Sequence, residues 1–161
     1  MKPYYLKTWA ILTCFALLTC IFSCSKDNSP EDIEKQEALS ISNGILQLVN
    51  KHRKGIGKNT LSANDLATQL AEEHTLFMID QNEMSHENFD QRGRRLIDEE
   101  KAVKVGENVA YKYKTAQEVM EAWLNSAAHR KNIEADFTDI GIGAIKNDVG
   151  LYYFTQLFFK K

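Results

Sequence analysis

Phe137-Thr138-Asp139-Ile140-Gly141-Ile142-Gly143-Ala144-Ile145 is followed, after a short gap, by Leu151-Tyr152-Tyr153-Phe154-Thr155-Gln156-Leu157-Phe158-Phe159. In the first run Ile140, Ile142 and Ala144 alternate with Asp139, Gly141 and Gly143, the period-2 pattern of a strand with one bulky and one bare face. Glycine on such a face marks close approach of another backbone or of a ligand. The second run is apolar on both faces: Leu151, Tyr153, Leu157 and Phe159 on one, Tyr152, Phe154 and Phe158 on the other. A strand of that kind has to be covered on both sides. With helical patterns preceding these strands, the sequence predicts an α+β fold, a three-layer α-β-α sandwich with a mainly antiparallel central sheet.

The helices are read from period and caps. Ile41, Ile45, Leu48, Val49 and His52 share one face of a helix expected from about Glu37 to Lys54, which Gly55 and Gly57 end. Ser62-Ala63-Asn64-Asp65 opens a second, with Leu66, Leu70, His74, Phe77 and Met78 along its apolar arc. A shorter helix is expected over Asn88–Glu100. Thr115-Ala116-Gln117-Glu118 is a capping box for a helix running to about Ser126, with Ala116, Val119, Met120 and Trp123 turned inward.

The chain has 161 residues, 43% of them hydrophobic, and a net charge of −2. That composition excludes a disordered chain, and the charge gives no basis for gripping nucleic acid. Cys14, Cys20 and Cys24 are the only cysteines. Residues beyond 24 therefore form no disulfide, thiolate metal site or cysteine nucleophile.

Residues 1–23 read as an address. Lys2 and Lys7 precede the mostly apolar run Trp9–Phe22, which is too short to span a bilayer and the right length for a signal peptide. Ile21-Phe22-Ser23-Cys24 resembles a bacterial lipobox, which implies cleavage before Cys24 and lipidation of its thiol. The mature chain then carries a net charge of −4. Residues 24–37 are expected to be the lipidated cysteine and a flexible tether, and residues 38–161 one domain, read as a monomer. The expected partner is the membrane, reached through Cys24, in a bacterial cell envelope; the outer membrane or cell surface fits the acidic residues after the cysteine.

Four histidines carry the most information about chemistry, because imidazole can be base, acid or metal ligand near neutral pH. His52 and His74 lie within apolar arcs and are read as hydrogen-bonded core residues. His86 lies in a polar stretch between helices, and His129 follows Ser126-Ala127-Ala128 just past a helix, both in loops. Gly106-Glu107-Asn108 reads as a turn that presents a carboxylate, either a general base or a metal's outer-shell partner. Ser126 and His129 lack the strand–turn–helix elbow of a serine hydrolase. The mixed run Asp90–Lys101 holds Arg92, Arg94 and Arg95 but also Asp98, Glu99 and Glu100, and reads as a solvated, salt-bridged face.

Seven motifs in order resemble the CAP superfamily (cysteine-rich secretory proteins, antigen five and pathogenesis-related one proteins), in its bacterial SCP-like branch. They are Leu48-Val49-Asn50-Lys51-His52-Arg53; Leu66-Ala67 with Ala71-Glu72-Glu73-His74; Ser85-His86 with Arg92; Gly106-Glu107-Asn108-Val109-Ala110; Trp123 through Ile133; Phe137 through Gly143; and Tyr153 through Phe158. The resemblance implies an α-β-α sandwich with a cleft lined by His86, Glu107 and His129, alongside Ser126 and Asn108. In some members the histidines bind zinc or another divalent metal. A fourth acidic position of many eukaryotic members is Ser126 here, and Glu118 and Glu121 fall on the solvent face.

Two functions stay open on this reading. One is an envelope-anchored module whose cleft binds a lipid, peptide, glycan or protein partner. The other is a metal-assisted hydrolase with His86 and His129 as ligands and Glu107 as general base.

Overall fold

The computed structural model describes residues 29–161. The expected signal peptide, Cys24 and the start of the expected tether lie outside them. Helix α1 spans Pro30–Gly55, longer at its start than the sequence pattern indicated. Ser29 caps it, accepting from the Asp32 amide while the Asp32 carboxylate accepts from the Ser29 amide, and Pro30 occupies the first turn. Residues 30–37, expected as flexible, are thus helical: a complete cap outweighs the polar, aperiodic composition that suggested a tether.

Strand β1 (Ser62–Ala63) is a two-residue bridge. Helix α2 (Asp65–Asp80) starts at Asn64, whose side chain accepts from the Ala67 amide. Helix α3 (Phe89–Glu100) follows, then strand β2 (Lys104–Tyr111). Helices α4 (Ala116–Asn125) and α5 (Ala127–Glu134) come next, then strands β3 (Asp139–Lys146) and β4 (Tyr152–Lys160).

The sheet order is β1-β3-β4-β2. β4 pairs antiparallel with both β2 and β3, and β1 runs parallel to β3, so the sheet is mixed. Helices α2 and α3 cover one face, and α1, α4 and α5 the other. β4 follows the two-faced pattern: Tyr152, Phe154 and Phe158 join the core under α1 and α4, and Leu157 and Phe159 the core under α2 and α3. Each large side chain so buried contributes about 1.5–3 kcal/mol. Trp123 packs edge-on against Phe154 with centroids 6.3 Å apart.

The bare face of β3 lies directly under α2. A Cβ built on Gly141 would sit 2.0 Å from the Ala67 carbonyl carbon, and one on Gly143 would sit 2.6 Å from the Ala71 carbonyl oxygen. Only hydrogen at those positions lets the helix reach the sheet.

Two further elements differ from the sequence reading. Glu107 lies on β2, an edge strand, where a turn was expected. Gly106 serves packing instead, because a Cβ there would meet Phe137 at 2.9 Å. His129 lies on α5, where a loop was expected. Ser126 takes extended backbone at ψ 118°, ending α4, and α5 begins at once.

Candidate functional site

Glu107 sits near the middle of β2 and projects to the α2–α3 side, its side chain 2% exposed. Arg92 of α3 reaches it with both prongs: Nε donates to Oε2 at 2.8 Å and Nη2 to Oε1 at 2.9 Å. Arg92 Nη1 donates to the Glu87 carbonyl at 2.8 Å, fixing the loop that carries His86. His86 Nδ1 lies 2.8 Å from Glu107 Oε1. Glu107 thus carries three short hydrogen bonds, and its charge is matched by a bidentate guanidinium.

The sequence placed Arg92 on a solvated face; the structure buries it. Phe89, Arg92, Gly93 and Leu96 form the inward stripe of α3, and that spacing is the signal that distinguishes Arg92 from Arg95, which stays at the surface with Glu99. His74 is a second addition. Its Nε2 hydrogen-bonds the Ser85 carbonyl at 2.9 Å and lies 3.9 Å from Glu107 Oε1. Burial and the charges of Arg92 and His86 hold the His74 pKa below the usual histidine value, against the opposing pull of Glu107. His52 is hydrogen-bonded as read, 2.9 Å from Glu134, but is partly exposed where a core position was expected.

The other side of β2 holds a chain of amides. β2 is the sheet's outer strand, and alternate carbonyls point off its edge. Asn132 Nδ2 donates to the Glu107 carbonyl at 2.9 Å, and Trp123 Nε1 to the Val109 carbonyl at 3.3 Å. Asn108, fully buried, donates to the His129 carbonyl at 3.1 Å and to Gln156 Oε1 at 3.0 Å, and accepts from Asn132. Asn108 therefore supports the site from beneath. Arg53, 2% exposed, donates to the carbonyls of Ile133, Ala135 and Phe137 and pins the C-terminal end of α5. His129 is tied through its backbone to Asn108 of β2. Its pKa is lowered by burial first and then by the neighbouring His86 charge. Ser126 contributes its carbonyl to the first turn of α5, accepting from the Arg130 amide.

The structure brings His86 and Glu107 into contact and sets His129 within electrostatic reach of His86. Nδ1 of His86 faces Glu107, which leaves Nε2 turned away from the carboxylate on a ring 54% exposed. A divalent ion would have the two histidines as ligands, with Glu107 as the carboxylate behind one of them. Catalytic zinc takes three protein ligands. Among the described residues no three His, Cys, Asp or Glu side chains converge to hold a metal, and Glu107 is committed to Arg92. The donor set does not fit a catalytic zinc centre.

The model of the cysteine-rich secretory protein family, CAP, matches residues 46–158. This chain belongs to the CAP family. Over 110 residues the CAP chain is 33% identical to the uncharacterized protein YkwD of Bacillus subtilis, an alignment covering 64% of this chain and 42% of that protein. It is 32% identical over 124 residues to the uncharacterized membrane protein YlbC of the same organism, covering 73% of this chain and 34% of YlbC. The chain thus spans less than half the length of these curated relatives. Among solved structures it resembles an extracellular protein containing an SCP domain from Bacillus anthracis, with a TM-score of 0.71, 28% identity, and coverage of 85% of this chain and 45% of that one. An outer surface protein of Borrelia burgdorferi shares the fold at a TM-score of 0.69 and 22% identity, with 76% and 93% covered.

Proposed function

We propose that this CAP domain is a binding module held at the cell envelope, which captures a lipid, peptide, glycan or protein group in the cleft between His86 and His129 without turning it over. The observation that carries this reading is the commitment of Glu107. A general base has to be free to take a proton near the reacting atom. Glu107 is buried, neutralised by Arg92 and hydrogen-bonded to His86. It orients the imidazole, whose outer nitrogen is left to meet a ligand. Together with His129, whose pKa is lowered by burial and by His86, this gives two polar anchors on an ordered frame.

Anchoring through a lipidated Cys24 completes the proposal. The likeness to an extracellular protein and to an outer surface protein supports an exposed location. No helix among the described residues is long and apolar enough to cross a membrane. Cys24 precedes α1 by six residues, a reach of at most about 20 Å. The domain would sit close against the bilayer.

Native mass spectrometry of the chain extracted from envelopes tests the reading, alongside assays on peptide, ester and glycan substrates. Wild type is expected to retain an adduct that the His86→Ala/His129→Ala variant loses, with no turnover above buffer. Turnover by wild type that vanishes in Glu107→Gln would favour the hydrolase instead.

A further inference from the structure

The opposite edge of the sheet holds a second feature. β3 pairs with β1 only at Asp139 and Ile140, so among the described residues no strand covers β3 from Gly141 to Lys146. The outer parity is fixed by the Asn64 amide, which donates to the Ile140 carbonyl at 3.0 Å. In an antiparallel pairing alternate residues turn their amide and carbonyl the same way. Ile142 and Ala144 therefore direct their backbone groups off this edge, away from β4.

A groove of about 720 Å³ runs along that edge, within the range of ligand pockets. Ile140, Ile142 and Ile145 lie along its floor, and Leu39 of α1 and Leu76 of α2 on its walls. Leu39 and Leu76 are 55% and 53% exposed, apolar surface turned to solvent at the same place. Four acids line the groove, Glu31 and Glu34 from α1 and Asp65 and Glu72 from α2, against Lys35 and Lys146. Lys146 is already paired with Glu37 at 2.6 Å. Glu72 has its pKa raised by the crowding of the walls, which Lys35 only partly offsets.

We propose that this groove takes a short extended peptide of basic and apolar residues, which adds as a strand to β3 beyond the end of β1. Unpaired edge backbone supplies the hydrogen bonds, as in other cases of strand addition, and the acidic walls select the charge. The six residues of β3 beyond β1 correspond to about 20 Å of strand, the length of a hexapeptide. The site lies across the sheet from Glu107 and does not depend on the reading of the histidine cleft.

The test uses the full chain in phosphatidylcholine nanodiscs, with empty discs as the blank, and fluorescein-labelled hexapeptides read by anisotropy. An alternating lysine–valine peptide is expected to bind one per chain and to protect the Ile142 and Ala144 amides from hydrogen exchange. Replacing lysine with glutamate in the peptide is expected to weaken binding at least tenfold, as is methylating its backbone nitrogens. The Glu34→Lys/Glu72→Lys variant, altered only at exposed positions, is expected to lose as much. No binding by wild type overturns the proposal. So does equal binding of the acidic peptide, or of the methylated one, which cannot pair as a strand.

Discussion

His74 shows how one side chain serves packing and electrostatics together. Its place in the apolar arc of α2 made it legible as a buried, hydrogen-bonded histidine, and it is one. Its proximity to Glu107 was not legible, because that contact depends on a strand distant in sequence. Burial, then Arg92, lower its pKa in the folded state. The unfolded chain, with histidine near 6.5, therefore binds more protons below that pH than the folded chain does. The stabilising contribution is complete above about pH 6.5 and is lost as pH falls toward the folded value. Urea midpoints measured with a chelator at pH 7.5 and 5.5 should fall further for wild type than for His74→Gln; equal losses would contradict this account. Arg92 is the complementary case. A charge run read along the sequence conceals that every third or fourth residue of α3 faces inward, so one arginine of three is buried.

At the scale of elements, the clearest signals in the sequence were the glycine alternation of β3 and the doubly apolar β4, and these place the central strands. Gly141→Ala should cost about 3 kcal/mol or more in chemical denaturation, since the new methyl would meet helix backbone, which cannot rotate aside as a side chain can. A loss below 1 kcal/mol would mean that α2 is free to shift on the sheet. The elements that escaped the pattern are those that carry the site. β2 reads poorly because Glu107 and Asn108 interrupt its apolar period, and both are there for hydrogen bonds. α5 has one buried residue, Ile133, and is held by Arg53 and Asn132 rather than by an apolar stripe. Periodicity reports burial of apolar groups, and elements fixed by polar bonds fall outside it.

For the whole molecule, the topology joins two distinct edges: β2 with the His86–Glu107–Arg92 cluster, and β3 with the acidic groove. The order of layers followed from the sequence; the choice of which strands lie outermost did not, since that is set by contacts across the sheet. Residues 1–28 lie outside the described structure, and the proposed lipid anchor is tested in the cell. Cys24→Ser should move the chain from the membrane fraction to the soluble fraction on fractionation, and persistence in the membrane would set the anchor aside. The central claim is that Glu107 ties α3 and the His86 loop to β2 as a structural ion pair. A double-mutant cycle on Arg92→Ala and Glu107→Ala, read by urea unfolding, tests it most directly. Each single variant should lose about 3 kcal/mol, with a coupling of about 2 kcal/mol or more. A coupling near zero, or a Glu107→Ala variant as stable as wild type, would contradict it.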